Sequence, residues 1–207
     1  MKISTYDQGT PEWHAARCGI ATASGFADVL ATVKVGEAAS RRNYRARLVV
    51  ERLTGKAVET FQTHAMRQGT EREPIARRAY EIQTGALVRE VGFCRHDELE
   101  AGASPDGLID DDGGLEIKCP ELATHLSYLR VPGAPAEYIA QIQGCMWITG
   151  RAWWDFASFN PDFPPNLQLT VRRIARDERY IAALALAVEL FMAEVREEES
   201  ALLKLAA

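Results

Sequence analysis

Three residues that could together hydrolyse a phosphodiester lie within one short stretch of this chain. Asp106 follows Ser104 and Pro105, and Glu116 and Lys118 come shortly after it in the pattern PD-x9-E-x-K. Two carboxylates can hold a hard divalent cation, which prefers oxygen ligands. A lysine two residues after the second carboxylate can stabilise negative charge near an attacking water. The spacing therefore indicates a metal-dependent site for phosphate-ester hydrolysis.

The segment around these residues has the pattern of a turn followed by a strand. Gly107 and residues 110–114 mark turns, and residues 115–119 alternate apolar and polar side chains, which is typical of a strand. Residues two apart on a strand project from the same face, so Glu116 and Lys118 should point into one cleft. The alternative is an ordinary hairpin with a solvated polar face, because both motifs are short.

Two predicted helices carry polar residues that could join this site. Residues 69–84 have helical periodicity, with Glu73 in the first turn, where the helix dipole alone also favours a carboxylate. Residues 136–149 form a mostly apolar helical pattern in which Gln141 shares a face with Tyr138. A glutamine in an apolar helix needs hydrogen-bond partners, and these lie either in the core or in a substrate site.

Taken in order along the chain, these segments resemble the lambda-exonuclease family of phage recombination nucleases, also described as YqaJ-type viral recombinases. That family belongs to the PD-(D/E)xK nuclease superfamily. The landmarks that carry the resemblance span nearly the whole chain. They are the W-x3-R-x-G-x-x-TAS opening from Trp13 to Ser24, Gly69-x3-Glu73-x2-Ala76, Ser104 to Gly107, Leu115 to Pro120, Tyr138-x2-Gln141-x-Gln143, Met146 to Thr149, and the aromatic strand from Trp153 to Phe159.

The resemblance implies a set of metal ligands. Asp106, Glu116 and the backbone carbonyl of Ile117 would bind Mg²⁺, for which Mn²⁺ could substitute. Glu73 would complete a second cation site or orient the attacking water. Two cations in such a site can stabilise both the attacking and the leaving oxygen of an in-line displacement.

The resemblance also implies roles for residues that act on the water and on the DNA. Lys118 would position the water and offset charge on the scissile phosphate, and Gln141, with Tyr138 nearby, would orient the water or the phosphate. Arg17 and Ser24 would hold the 5′-terminal phosphate. A guanidinium can make bidentate phosphate contacts, and Ser24 could cap a helix that begins near residue 25, whose amides favour anions. The alternative for Arg17 is an ordinary surface salt bridge.

For the whole protein, the resemblance implies a processive 5′→3′ exonuclease on double-stranded DNA ends. It would leave a 3′ single strand for a partner annealing protein and would work as a ring of three subunits. Residues 121–137 follow the family only loosely, so no phosphate contact is carried over there. Two alternatives stay open: another nuclease of the superfamily, such as a structure-specific endonuclease or a Cas4-like iron–sulfur exonuclease, and a non-catalytic DNA-binding recombination scaffold. The intact Asp106, Glu116 and Lys118 favour an enzyme.

Length and composition suit one compact domain, expected over residues 1–207. The apolar content of 47% predicts a substantial core. No run of roughly eighteen apolar residues is present, and the N-terminal residues lack a signal-peptide core, so we expect a cytoplasmic protein of a bacterial host cell, encoded by a phage or prophage, with no membrane contact. The cysteines are scattered, which favours reduced thiols, and the histidines form no ligand cluster.

The net charge of −5 conflicts at first sight with binding to DNA, which depends on neutralising phosphates. Local basic patches would resolve the conflict, provided that Glu194 and residues 197–199 near the C-terminus face away from the substrate. Each basic run has the alternative of being a solvated face. The first run, predicted to bind DNA, contains Arg41, Arg42, Arg45 and Arg47 around Tyr44, and the second contains Arg172, Arg173 and Arg176.

The pattern of apolar residues and turn formers predicts an α/β fold with a central mixed β-sheet flanked by helices, as in a PD-(D/E)xK core. The predicted helices are 11–54 with a break near 35–36, 69–84, 122–130, 136–149 and 178–204. The predicted strands are 87–95, 103–109, 114–119, 152–159 and 167–173, and residues 55–63 are predicted as a loop or a short extended piece.

Overall fold

The computed structural model describes residues 1–58 and 64–205, with side chains from residue 67 onward in the second range. Strands and α-helices alternate along these ranges, and short 3₁₀ turns lie at Ala23–Gly25 and Pro165–Leu167. The strands are β1 (Lys2–Ile3), β2 (Ala21–Thr22), β3 (Val88–Arg89), β4 (Cys94–Arg95), β5 (Ala101–Ala103), β6 (Gly107–Ile109), β7 (Gly113–Lys118), β8 (Trp153–Phe159) and β9 (Leu169–Ala175). The α-helices are α1 (Pro11–Arg17), α2 (Phe26–Val29), α3 (Ala39–Thr54), α4 (His64–Thr84), α5 (Leu122–Leu129), α6 (Ala136–Thr149) and α7 (Glu178–Leu205).

Five strands form the sheet that carries the candidate site, in the order β3-β6-β7-β8-β9. Strands β6 and β7 pair antiparallel, β7 and β8 run parallel, and β8 and β9 pair antiparallel. Parallel neighbours need a long crossover connection, and α5 and α6 supply it between β7 and β8. As the middle strand, β7 is buried along almost its whole length.

The alternation of side chains along β7 divides them between two layers of the fold. Leu115 and Ile117 pack in one apolar cluster with Tyr80 of α4. Glu116 projects from the opposite face, where Gln141 of α6 contacts it. The strand thus presents its carboxylate to α6 and its apolar side chains to α4.

A second sheet has the strand order β1-β4-β5-β2, with β2 and β5 parallel and the other pairs antiparallel. Strand β5 leads directly into β6 of the first sheet through residues 104–106. Asp106 therefore lies in the short connection between the two sheets, immediately before β6. The backbone of two sheets fixes its position.

Helices α3 and α7 pack against each other beside the second sheet. Tyr44 of α3 stacks on Phe191 of α7, with ring centroids 5.4 Å apart. None of the described helices has both the length and the apolar character needed to cross a membrane. The apolar stripe predicted for the C-terminal helix is buried, and it consists of Ile181, Leu184, Val188, Met192 and Val195.

The predicted α/β class, with mixed β-structure flanked by helices, is confirmed, although the strands are divided between two sheets. The predicted strand 87–95 is wrong as one element, because β3 and β4 belong to different sheets, and 103–109 divides in the same way into β5 and β6. The helix that carries Glu73 begins at His64, so Glu73 lies in its interior and not in its first turn.

The predicted helical region 11–54 is also interrupted. Helix α1 ends at Arg17, and Gly19 adopts a left-handed φ of 68° that turns the chain into β2. The small apolar residues of this segment do not by themselves separate a buried strand from a helix. The predicted loop at 55–63 lies partly outside the described residues, since 59–63 are not among them.

Gly114 faces the indole of Trp154 on the neighbouring strand β8. A Cβ added at Gly114 would overlap this ring, and Trp154 is fully buried, so the ring has no free space to enter. We expect Gly114→Ala to lower the free energy of unfolding by about 1–3 kcal/mol, which is the usual cost of overpacking a core. Urea denaturation measures the change.

Gly133→Ala is the matched control, because a Cβ there meets no atom within 4 Å. Its free energy of unfolding should change by less than about 0.5 kcal/mol. Equal stability of the two variants would contradict the close packing of β7 on β8.

Candidate active site

Glu116 lies at the centre of a polar cluster on the α6 side of β7. Its side chain is 1% exposed. Lys118 Nζ and Gln141 Nε2 each lie 2.6 Å from the same carboxylate oxygen, Oε1. The second oxygen, Oε2, is buried and has no hydrogen-bond partner. One oxygen of Glu116 is therefore saturated by the protein, and the other is available to a ligand.

Asp106 reaches the same cluster from the connection between the two sheets. The backbone N–H of Ile117 donates a hydrogen bond to Asp106 Oδ2 over 2.6 Å. Burial raises the pKa of Asp106 well above its ordinary value, and the charges of Glu116 and Glu73 raise it further. This carboxylate is held where its ionised form is costly unless a positive charge stands beside it.

Glu73 approaches the cluster from the interior of α4. Burial raises the pKa of Glu73, Arg77 opposes the shift, and the charge of Glu116 adds to it. Arg77 donates from Nη2 to Glu73 Oε1 over 2.9 Å and also pairs with Glu90 over 2.8 Å. The arginine holds the Glu73 carboxylate beside the site and partly neutralises it.

Lys118 is held as an ammonium group. Burial alone would lower its pKa, but the carboxylates of Glu116 and Asp106 more than offset this and raise it above the ordinary value. The Nζ atom lies 4.9 Å from the centre of the Tyr138 ring, and the hydroxyl of Tyr128 lies 3.3 Å from that of Tyr138. A fixed positive charge therefore stands directly beside the carboxylates.

The residues present fit a hard divalent cation. Glu116 has a buried oxygen without a partner, and Asp106 is a buried carboxylate whose pKa is raised by burial and by its acidic neighbours. Among the described side chains, those of residues 1–58 and 67–205, no three from His, Cys, Asp or Glu are grouped so that they could hold a metal ion. A cation here would thus take two carboxylates and complete its shell with backbone carbonyl, water or phosphate oxygens. The carbonyl of Ile117 remains a predicted ligand.

A cavity of about 1730 Å³ opens beside these groups and brings Arg17, Glu73 and Asp106 to one surface. Its lining is richer in positive charge than the chain as a whole. The basic residues in the lining are Arg17, Arg47, Lys56, Arg67, Arg77 and Arg89, and the acidic ones are Asp7, Glu51, Glu73, Glu90 and Asp106.

Arg17 lies in the cavity wall with a defined orientation. Its guanidinium lies over the Trp13 ring, 3.9 Å from the centroid, and Nη1 donates to Ser104 Oγ over 2.9 Å. Ser104 also accepts the indole N–H of Trp13 over 3.1 Å. Ser104 belongs to the SPDG motif of residues 104–107, in which only Asp106 was expected to have a role. Its place two residues before Asp106 is the signal that could have identified it.

The expectation that Ser24 caps a helix is wrong. Helix α2 has only four residues, its N-terminal flanking residue is Gly25, and no side chain caps it. Ser24 is exposed, its hydroxyl lies 3.3 Å from that of Thr22, and Thr22 rather than Ser24 lines the cavity. A contact between Ser24 and the terminal phosphate remains a prediction.

Of the first basic run, Arg47 lines the cavity, whereas Arg41, Arg42 and Arg45 lie outside it. Arg41 and Arg45 are engaged in ion pairs. Arg41 pairs with Glu194 over 2.8 Å, and Arg45 pairs with Glu37 and, over 3.0 Å, with Glu198. Acidic residues near the C-terminus therefore contact this run, and the expectation that they face away from the substrate stays a prediction. The second run is also engaged, through Asp155 for Arg173, Glu178 for Arg176 and the Val131 carbonyl for Arg172.

Arg42 is exposed and lies outside the cavity. DNA binding by Arg41, Arg42 and Arg45 stays a prediction, and for Arg41 and Arg45 it would compete with the observed ion pairs.

Comparison with known proteins identifies a nuclease of the lambda-exonuclease type. The family model described as the YqaJ-like viral recombinase domain matches residues 12–152, and the chain belongs to this family. The chain is also similar to LHK-Exo, an alkaline exonuclease from Laribacter hongkongensis, with 44% identity and a TM-score of 0.88 over 95% of this chain and 98% of that one.

A structure of LHK-Exo in complex with dAMP gives the same identity and coverage, with a TM-score of 0.89. A phage-related exonuclease from Haemophilus somnus 129PT is 14% identical, with a TM-score of 0.68 over 86% of this chain and 96% of that one, and shows the shared fold. Among curated protein sequences, none matches significantly.

The burial of Asp106 leads to a prediction about the thermal stability of the metal-free protein. Its pKa is raised in the folded state, so ionisation costs stability once the pH exceeds the unfolded value of about 3.9, and the cost grows until the pH passes the folded value. We expect Asp106→Asn to raise the melting temperature in EDTA at pH 8, since the amide still accepts the Ile117 N–H. The gain should shrink as the pH falls toward about 4.

The melting temperature is measured with and without Mg²⁺. Mg²⁺ should raise that of the wild type and not that of Asp106→Asn. Asp111→Asn, in an exposed turn, is the control and should behave as the wild type. A lower melting temperature for Asp106→Asn in EDTA at pH 8 would show that the carboxylate is not a source of strain.

Proposed function

We propose that this protein is a divalent-metal-dependent 5′→3′ exonuclease that digests one strand of linear double-stranded DNA. The observation that carries the proposal is the unpartnered Oε2 of Glu116, buried beside Asp106 with Lys118 next to it. Membership of the recombinase family and similarity to an alkaline exonuclease support the same reading. The structure in which LHK-Exo binds dAMP makes a 5′-mononucleotide a suitable product for this chain too.

The side chains have separate tasks in the proposed reaction. Asp106, Glu116 and, by prediction, the Ile117 carbonyl would hold Mg²⁺ or Mn²⁺, which supplies Lewis-acid polarisation of the phosphate and makes the attacking water more acidic. Lys118 places a fixed positive charge where charge develops on the phosphate. Gln141 orients Glu116 through its bond to Oε1.

Glu73 and Tyr138 would act from the edges of the proposed site. Glu73 lies on the cavity side, where it can accept a hydrogen bond from the attacking water or join a second cation site. Tyr138 keeps the Lys118 ammonium in place through the contact with its ring.

The biological setting is proposed from the family. The enzyme would act on DNA ends as a ring of three subunits and leave a 3′ single strand for an annealing protein in phage-type recombination. It would do so in the cytoplasm of a bacterial host. A ring of identical subunits requires a heterologous interface with cyclic symmetry.

One assay tests the proposed activity. Linear duplexes with 5′-phosphate, 5′-hydroxyl or blocked ends are digested in Mg²⁺ beside closed circular DNA, with a label on either end of one strand. We expect the 5′ label to be released first as a mononucleotide and the circle to stay intact. Cleavage of the circle would favour an endonuclease, and early release of the 3′ label would reverse the polarity.

The division of roles predicts different defects for the carboxylates and the lysine. Asp106→Ala and Glu116→Ala should abolish digestion and metal binding, because each removes a ligand. Lys118→Ala should lose most of the turnover while Mn²⁺ binding, followed by calorimetry, persists. Near wild-type turnover of either carboxylate variant would contradict the assignment of Asp106 and Glu116 as metal ligands. Loss of metal binding in Lys118→Ala, to the same degree as in Asp106→Ala, would contradict a separate role for the lysine.

The proposed role of Arg17 predicts that the enzyme distinguishes 5′-phosphorylated from 5′-hydroxyl DNA ends. Phosphate contacts along a duplex act whatever the end carries and weaken with salt, whereas a contact to the 5′-phosphate acts only when that group is present. Arg17→Ala should slow digestion of 5′-phosphorylated ends by about ten- to a hundred-fold, the worth of a charge-assisted contact, and 5′-hydroxyl ends much less. Initial rates on the two substrates measure the ratio. Equal losses on both would give Arg17 a general or structural role.

A further inference from the structure

Two arginines share one wall of the cavity without a carboxylate partner in the described part of the chain. Arg17 and Arg47 both line it, and neither takes part in an ion pair there, unlike the arginines of the α3–α7 contact. The Nε atom of Arg47 is buried and has no hydrogen-bond partner. A buried N–H donor without an acceptor is costly, so this donor points to a ligand.

Aromatic rings fix the orientation of both guanidinium groups. Arg17 lies over Trp13, and Arg47 lies over Tyr44, 4.7 Å from the ring centroid. The Tyr44 hydroxyl accepts the backbone N–H of Thr22 over 2.8 Å. This bond fixes the Tyr44 ring beside the end of β2 that lines the cavity, and the ring in turn orients Arg47. A guanidinium stacked by its face keeps its N–H edge for a planar or tetrahedral anion.

The positive charge of Arg17 and Arg47 is not paired with the neighbouring carboxylate of Glu51. Burial lowers the pKa of Arg17 to about 10, and Arg47 lowers it too, while Tyr44 and Glu51 oppose the shift. Glu51 accepts the N–H of Gly19 over 2.8 Å and that of Val58 over 3.2 Å, so both of its oxygens are already occupied by backbone donors. Arg17 therefore still carries its charge near neutral pH, and it does so beside the charge of Arg47.

We propose that Arg47 joins Arg17 in a subsite for the terminal phosphomonoester of the DNA and determines the preference for that end. The inference rests on the proposed function and adds a specificity-determining residue to it. A phosphomonoester carries a charge of about −1.5 to −2 at pH 7 and three strong acceptor oxygens, whereas an internal diester carries one charge. Arg47 has an unused Nε donor, and Arg17 keeps N–H groups beyond the one that Ser104 accepts. Together the two guanidinium groups match the monoester in charge and in the number of donors.

The test compares binding and digestion of two matched duplexes that differ only in a 5′-phosphate or a 5′-hydroxyl. Arg47→Gln removes the charge and the Nε donor, and Arg47→Met keeps an apolar chain on the Tyr44 ring should the first variant fold poorly. Dissociation constants are measured in EDTA by fluorescence anisotropy, so no cleavage is needed, and digestion rates are measured in Mg²⁺. Either variant should lower the 5′-phosphate to 5′-hydroxyl ratio by about ten-fold or more.

Arg130→Gln is the control, because it removes the same charge from an exposed position outside the cavity to which no DNA contact is assigned. It should leave the ratio unchanged. A wild-type ratio in both Arg47 variants overturns the inference, as does a wild-type protein that binds the two ends equally. Failure of the proposed function has a different signature: the wild type would digest no linear DNA, while the binding ratio in EDTA would still report on Arg47.

Discussion

The site depends on two carboxylates that are buried with only part of their charge compensated. Glu116 receives Lys118 and Gln141 on one oxygen and nothing on the other, and Asp106 receives the Ile117 N–H. Burying charge is costly unless it is paired and hydrogen-bonded, so the fold must hold these groups against their tendency to gain a proton or separate. The central strand, the connection between the sheets and the buried helix α6 supply that constraint, and a cation would supply the missing charge.

Local sequence patterns predicted the parts of the site that depend on one element. The alternation in β7 predicted that Glu116 and Lys118 share a face. The apolar pattern of α6 predicted that Gln141 needs a hydrogen-bond partner, and that partner is Glu116. Parts that depend on long-range packing were not predictable. Two sheets divide the predicted strand 103–109, and the interior position of Glu73 follows from a helix that starts earlier than its turn signals indicate.

The distribution of charge also depends on long-range packing that local sequence patterns do not show. The basic run of α3 resembles a DNA-binding patch in the sequence, yet Arg41 and Arg45 face acids of α7 that lie about 150 positions away along the chain. Those acids serve the packing of two helices. The positive charge that lines the cavity comes from several elements, with Arg47 from this same run and Arg17 and Arg89 from other parts of the chain. The net charge of −5 therefore says little about the surface that meets DNA.

The central claim is that the unpartnered oxygen of Glu116 and the carboxylate of Asp106 exist to hold a divalent cation. Anomalous diffraction from crystals soaked in Mn²⁺ tests it most directly, because the signal identifies the metal and its ligands together. The account predicts a Mn²⁺ peak bonded to Glu116 Oε2 and to Asp106, at the carboxylate–metal distances of about 2.0–2.2 Å that small divalent ions adopt, with Lys118 still on the other Glu116 oxygen. A peak elsewhere in the cavity, with Glu116 Oε2 still without a ligand, would contradict it.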